Sequence, residues 1–580
     1  MKGPGADTQI EFGDDEKYIV PQSSSQQWNT TIAISDQAVS HRKIIRRWNR
    51  LSRLQRSLIY AIVVVTATVL LLLYSSKVGV TDIEKTNNSE LGQEPLRNSS
   101  LVNEVVADMA IPKKSYDEGV NSERPTFSGP RNARQSAVVE SFKHAWKGYK
   151  DHAWGHDNLK PVSGMAFDWF SLGLTIVDGL DTAYIMGLSE VFEEGKDWVR
   201  SELVFTKNKD VNFFEVTIRV LGGLLSCYHF SKDQVFLDKA VDLGDRLMAA
   251  FASPSGIPYS DVNLGTRTAH APEWSHYSTT AEVTTVQLEF RELSRASNNP
   301  VFEDAAAAVS EKIHHLPKKH GLVPIFINPN TGHFLPHATI TLGARGDSYY
   351  EYLLKQWLQT GKTVNYLLDD YLTAIEGVRE FLAKRSSPNK HLFIGELSAG
   401  SESFNPKMDH LTCFLPGTLA LGHANGLPDW HMSMAEELLY TCYLTYAAHP
   451  TFLAPEITHF NLASTTDDMY TKTADAHSLL RPEFVESLWY MYQITGNTTY
   501  QDWGWQIFQG FEKYAKVSNG YASLTNVKSE KAVHRDMMES FFLSETLKYL
   551  YLLFSDDRFL IDLNKYVINS EAHPLPVHRT

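Results

Sequence analysis

Four stretches of this 580-residue chain repeat one plan: a helix, a short polar turn, an aromatic and a second helix. They are CYHFSKDQVFLDKAVDLGDRL, RELSRASNNPVFEDAAAAVSEKI, YQITGNTTYQDWGWQIFQGF and YLLFSDDRFLIDLNKYV, with turn aromatics Phe236, Phe302, Tyr500 and Phe559. The first two aromatics lie 66 residues apart and the last two 59, about the length of two helical hairpin arms with their connections. A run of helical hairpins can stack as an open solenoid or close into a ring. Mostly apolar helices such as GLTIVDGLDTAYIMGL and FFEVTIRVLGGLLSCYHF favour closure, with an inner layer buried on all sides. The expected fold is all-α, an α/α toroid.

That pattern does not cover the whole chain. Residues 1–40 are polar and aperiodic, and the formal charge of -14 hides a basic block. His41 to Arg56 carries seven Lys or Arg and no acid, and Leu58 to Tyr74 follows with 17 residues and no charge. An apolar run of that length, entered through a basic flank, reads as a membrane span with the N-terminus in the cytosol. The polar residues before it argue against a cleaved signal peptide. The expected organisation is a cytosolic tail with basic flank (1–56), a transmembrane signal anchor (57–75), a flexible lumenal stem (76–135) and a helical domain (136–580). Acidic excess beyond the anchor, with no basic face, excludes nucleic acid as the main partner.

Three cysteines, Cys227, Cys413 and Cys442, fall on the lumenal side, so one disulfide is possible and one thiol is left over. Cys413 and Cys442 are the closer pair in sequence, but spacing alone leaves the pairing open. Asn-x-Ser/Thr acceptors on that side are Asn87, Asn98 and Asn497, each permissive for glycosylation; Asn29 matches too but falls in the cytosol.

Within the helical domain, carboxylates recur where apolar residues are expected. LLRPEFVESLWYMYQ places Glu483 and Glu486 on one face of a buried-type helix. VNFFEVTIRVLGG holds Glu215 and Arg219 four apart; TLGARGDSYYEYLLKQW holds Arg345 and Asp347; KMDHLTCFLPGTLAL opens with Asp409 and His410. In MMESFFLSETLKYLYLLF, Glu539 and Glu545 flank Phe541 and Phe542. Each has an ordinary structural reading: a dipole-offsetting acid, an i,i+4 ion pair, a helix cap, a satisfied core histidine, a mixed surface helix. Five such cases on inner-type helices are harder to dismiss. If those helix ends converge, they form an acidic, aromatic-lined cup suited to sugar chemistry, in which paired carboxyls act as acid and base. Oxygen donors without Cys or His pairs suit a hard cation such as Ca²⁺ better than zinc. No HExxH, GxSxG, P-loop or dinucleotide fingerprint occurs in a plausible context.

These segments, with HAWKGYKDHAWGHDNLKPVS, IPYSDVNLGT, YQDWGWQIF and INSEAHPLP, resemble the class I α-1,2-mannosidases of glycoside hydrolase family 47, from about Val138 to Pro576. The resemblance implies an (α/α)7 barrel that needs Ca²⁺ and removes α-1,2-linked mannose from N-glycans with inversion, acting as a monomer on high-mannose N-glycans of glycoproteins. By that resemblance Glu215 is the general acid, Glu483 the general base and Asp347 a third catalytic carboxylate; the family leaves open which of Glu215 and Asp347 delivers the proton. Arg219, His410, Arg481, Glu486 and Glu545 match residues that bind sugar or hold the calcium's water shell, with Phe541 under the sugar ring. The family's protein-supplied calcium ligand is usually the threonine of T-E-A-H-P; here Ser570 stands in its place, keeping both oxygens but losing the methyl that restricts the rotamer. The resemblance also implies a Cys413–Cys442 disulfide with Cys227 free.

Arg345 matches the arginine of endoplasmic-reticulum members, implying trimming of a nine-mannose glycan mainly to one eight-mannose isomer, at the membrane of that compartment. The residues oppose three rival readings. Retained carboxylates oppose a lectin-like degradation factor, Arg345 opposes a Golgi enzyme of broader specificity, and an inert anchored solenoid leaves the five carboxylate sites unexplained.

Overall fold

A computed structural model describes residues 125–398 and 403–578. The expected tail, anchor and most of the stem lie outside these residues. No helix among the described residues is long and apolar enough to cross a membrane. The described part has fourteen helices of seven or more residues, numbered here in chain order. They are α1 (Ala133–Ala153), α2 (Leu174–Ile185), α3 (Ser189–Ser201), α4 (Gly222–Ser231), α5 (Gln234–Leu247), α6 (Gln287–Ser297) and α7 (Val301–His315). The second half adds α8 (Asp347–Gln359), α9 (Asn365–Gly377), α10 (Leu415–Ala424), α11 (Trp430–Ala447), α12 (Glu483–Thr495), α13 (Thr499–Gly510) and α14 (Leu547–Leu553).

Burial alternates along this order. The even-numbered helices are buried nearly all round: α14 throughout, and α8 at every residue except Asp347. The odd-numbered ones bury one stripe, as α3 does with Phe192, Gly195 and Val199 at helical spacing. Each even helix packs on the next, and the segment leading into α14 packs back on α2, so the inner layer closes. The toroidal expectation therefore holds, with odd helices outside.

Two features depart from an all-α reading. Loops between helices fold into short antiparallel hairpins of two or three strands, each strand two to four residues long. Strands this short carry no readable alternation. The fourth helical repeat also breaks down. Phe236, Phe302 and Tyr500 each sit buried at the second or third residue of an outer helix, but Phe559 is 54% exposed and no helix follows it. The chain instead runs into the hairpin Tyr566–Ile568 with Pro574–Pro576, which packs against α4, α6 and α8. Its strands are apolar because the surrounding inner helices cover them. The first helix begins at Ala133, and Phe127 packs edge-on against Tyr184 and Phe230, so the packed unit includes the end of the segment assigned to the stem.

Candidate active site

The starts of four inner helices, α4, α8, α12 and α14, bring the suspected carboxylates together, beside the C-terminal hairpin. Glu215 lies in a short helix (Phe213–Val216) capped by Asn212, whose Oδ1 accepts the Glu215 N–H. The next five residues, Thr217–Leu221, open into a wide π turn that carries Arg219. A second π turn, Phe542–Thr546, carries Glu545. Such turns cluster at functional sites because they re-aim side chains within a helix. Backbone strain clusters here too: Arg345, Leu480 and Ala572 adopt positive φ of 74°, 66° and 60°. These non-glycine residues lie beside Asp347, Arg481 and Glu571 respectively, and holding them left-handed costs energy that the packed surroundings must offset. Gly346 admits no side chain, since a Cβ there would meet the Thr341 carbonyl oxygen at 2.2 Å.

On one side of the cup Arg219 Nε donates to Glu215 Oε2 at 2.9 Å, and its Nη1 reaches Glu571, Ser540 Oγ (3.2 Å) and Asp178 (3.5 Å). On the other side His410 Nδ1 lies 2.7 Å from Glu483 Oε2, while Tyr446 Oη lies 2.7 Å from Nε2. Nδ1 donates to the carboxylate, and Nε2 and the phenol share the second hydrogen bond. Arg481 Nη1 is 3.6 Å from Glu483, and its Nε donates to Glu456 at 2.7 Å. The Phe541 ring sits between the two guanidiniums, 5.8 Å from Arg219 and 6.0 Å from Arg481. Glu215 and Glu483 keep 15% and 14% of their side-chain surface exposed, enough for a ligand to reach them.

His410 is held from two directions. A Cys413–Cys442 disulfide ties its turn to α11, one turn before Tyr446 on that helix. Cys227 is free and buried.

Electrostatics divide these carboxyls. Burial pushes Glu483 up, but the His410 hydrogen bond and the charges of His410 and Arg481 bring it below the usual carboxylate value. Burial first, then Glu351 and Glu483, pushes Asp347 up to about 7. Glu486 is raised by burial and by Glu351 and Glu483, against Lys355 at 3.6 Å. Glu545 is raised well above its ordinary value by burial, then by Glu571, Glu483 and Glu486. A separate cavity of about 350 Å³, lined by Thr445, His449, Tyr470 and Lys528, contains none of these residues.

A sequence profile of glycosyl hydrolase family 47 matches residues 141–577. The chain belongs to glycosyl hydrolase family 47. It is 57% identical over 453 residues to the endoplasmic reticulum mannosyl-oligosaccharide 1,2-alpha-mannosidase of Rattus norvegicus, covering 77% of this chain and 69% of that protein. The protein of the same name from Homo sapiens is 57% identical over 451 residues, covering 77% of this chain and 64% of that one. The fold matches the solved alpha-1,2-mannosidase from Trichoderma reesei with a TM-score of 0.72 and 26% identity, over 77% of this chain and 100% of that one.

In this family 47 chain the cup joins Glu215, Arg219, Asp347, His410, Arg481, Glu483, Glu486, Phe541 and Glu545. Arg345 stands to one side, its guanidinium 4.8 Å over the Trp274 ring and 5.6 Å over Phe326. It reaches the cup through Glu282, which senses both Arg345 and Glu215. Ser570 lies at the tip of the C-terminal hairpin, where Asn569 fixes the turn by accepting from the Glu571 and His573 N–H groups. Sequence reasoning assigned no role to Glu282, Glu571, Glu456 or Asp178. Glu282, in TTAEVTTVQLEF, carries the same signal as the others, one acid in a buried run, and is pushed up to about 7 by burial and by Glu215. Glu571 is the acid of SEAHP itself.

Proposed function

We propose that this chain is a calcium-dependent, inverting exo-α-1,2-mannosidase that trims high-mannose N-glycans. The observation that carries the reading is two interacting carboxyls in one cup tuned oppositely: Glu483 lowered below the usual carboxylate value by His410 and Arg481 against its burial, Asp347 raised by burial to about 7. An acid and a base of this kind are what glycoside cleavage requires. The names of the rat and human relatives support the substrate class.

Glu483 acts as general base, with His410 and Arg481 favouring its ionised form. Glu215 is the general acid by resemblance; Asp347 is the carboxyl whose environment raises it to about 7, and it supplies the proton directly or through Glu215. Arg219 aims Glu215, and the Phe541 ring offers a face to the sugar. Glu486 and Glu545 bind hydroxyls or water.

The donor set near Ser570 fits a hard cation. Its hydroxyl and carbonyl are oxygen donors, and the neighbouring Glu545 and Glu571 are driven well above their ordinary values by burial and mutual repulsion. No three His, Cys, Asp or Glu side chains among the described residues converge closely enough to hold a metal by themselves. By the family resemblance Ser570 would be the direct protein ligand, with the carboxylates acting on the water around the ion. The chemistry a bound Ca²⁺ supplies is positive charge that orients the attacking water and the sugar hydroxyls.

By the family resemblance, Arg345 supports the endoplasmic-reticulum subtype and conversion of a nine-mannose glycan mainly to one eight-mannose isomer. The chain is placed as a single-pass type II protein of that membrane, anchored through residues 57–75, with the helical domain lumenal and monomeric. The test is digestion of a labelled nine-mannose glycan by residues 125–580 with Ca²⁺, with chelator, and with Glu483→Gln. Calcium-dependent release of one mannose supports the reading; trimming to five mannoses moves the subtype to the Golgi class; binding without release overturns the enzyme.

A further inference from the structure

We propose that Asn497 carries an N-linked glycan whose first sugars lie along an aromatic strip on the outer face of the helical ring. The inference rests on the lumenal placement proposed above. Asn497 begins an Asn-Thr-Thr acceptor in the turn between α12 and α13, after Gly496 ends α12 with φ 73°, and its side chain is exposed. The amide is oriented. Its Oδ1 accepts the Thr499 N–H at 3.0 Å, which turns the nitrogen to the other side.

That nitrogen is the atom that would be modified. In the transfer, Nδ2 bonds to the anomeric carbon of an oligosaccharide carried on a lipid diphosphate; the carbon–oxygen bond to the diphosphate breaks, the lipid diphosphate leaves, and Nδ2 gives up one proton. The Oδ1 contact with the Thr499 N–H is untouched by the transfer, so the sugar leaves from the opposite side of the amide, at the start of α13.

What lies there is a strip of rings. Tyr500 and Trp503 have centroids 5.8 Å apart, and Trp503 stacks on Tyr443 of α11 at 4.3 Å. Tyr440, one turn earlier on α11, stands 6.2 Å from Trp503 and is 45% exposed. Tyr440 is exposed and Trp503 and Tyr443 are half-buried, so the row leaves apolar ring surface in water, while Tyr500 at its near end is buried. Trp503 lies six residues beyond Asn497, about 9 Å along the helix, within reach of a disaccharide stem. Aromatic faces stack on the apolar faces of pyranose rings, so the glycan covers the strip from the end at which it is attached.

The experiment is site-resolved mass spectrometry of the full chain expressed in eukaryotic cells, after peptide-N-glycosidase treatment in heavy-oxygen water. The expected result is conversion at Asn497, with release from the native protein about tenfold slower than at Asn87 and Asn98, the factor one good stacking contact corresponds to. Trp503→Ala, or the exposed Tyr440→Ser should the former not fold, removes that lag. Modified Asn87 and Asn98 with unmodified Asn497 overturns the inference while leaving the lumenal placement standing, and so does equal release at all three. No modification at any of the three, or modification at Asn29 alone, overturns both.

Discussion

Glu483 and Glu545 share one cup, yet their surroundings push them in opposite directions. Glu483 has His410 at 2.7 Å and Arg481 at 3.6 Å, and its carboxyl falls below the ordinary value despite burial. Glu545 is driven up by burial and by Glu571, Glu483 and Glu486, with the Arg219 charge pulling the other way. The first region is neutralised by its own residues, so its charge is free to act on a substrate. The second crowds acids that burial and mutual repulsion drive towards the neutral form, the setting in which the proposed cation would relieve the repulsion.

The largest effect should come from breaking the first region. Glu483→Gln keeps the shape and the contact with His410 but removes the base. Turnover of a mannose-terminated glycan should fall by about 10²–10⁴-fold, the range for loss of a general acid or base. Glycan binding, measured by calorimetry, should persist within a few-fold. Binding lost together with turnover would mean that Glu483 serves to hold the sugar.

Removing calcium addresses the second region. A chelator should abolish turnover and lower the thermal midpoint, since a ligand at about 100 times its dissociation constant contributes roughly 2.7 kcal/mol. Glu545→Gln should narrow the gap between calcium-bound and chelated midpoints, because one repelling carboxyl is gone. An unchanged gap would place the cation elsewhere.

A third contrast separates Glu483 from Asp347 by pH. Asp347, raised to about 7 in the folded chain, contributes stability that is fully present below its unfolded value and is lost as pH rises towards 7. Glu483, lowered in the folded chain, contributes stability present above its unfolded value and lost as pH falls through its folded one. Asp347→Asn should therefore flatten the decline in thermal midpoint between about pH 4 and 7, a slope worth roughly 1.4 kcal/mol per unit at most. Glu483→Gln should instead flatten the decline on the acid side. Parallel curves for both variants would remove the contrast.

Much of this was legible because the site is written in runs where one acid interrupts apolar residues. Glu215, Asp347, Glu483, Glu486 and Glu545 all stood out that way, and the structure gathers them. The toroid was legible because outer helices restart at buried aromatics such as Phe236 and Phe302. What escaped was set by contacts distant in sequence. Arg219 meets Glu571 across 352 residues, and Arg481 chooses Glu456 as its closest partner rather than nearby Glu483. The C-terminal hairpin looked like one more helical repeat because SDDRFLIDLNKYV has helical spacing, but three inner helices cover it and select paired strands.

The smallest effect concerns Ser570. Its hydroxyl can take more rotamers than a threonine's, since no second heavy atom on Cβ crowds χ1. Holding that oxygen towards an ion therefore costs more side-chain entropy than in relatives with threonine. Ser570→Thr adds one methyl at a half-buried hairpin tip, beside an Asn569 that already fixes the backbone through its contacts with Glu571 and His573. Calcium affinity should tighten by about two- to fivefold, roughly 0.5–1 kcal/mol, with saturated turnover unchanged. Titration against a calcium-sensitive dye would show it. A weaker affinity would mean that the methyl clashes at the tip and that serine is there because it fits; a changed turnover at saturation would mean that the residue at this position also sets the geometry around Glu483, and the separation between the two regions would fail.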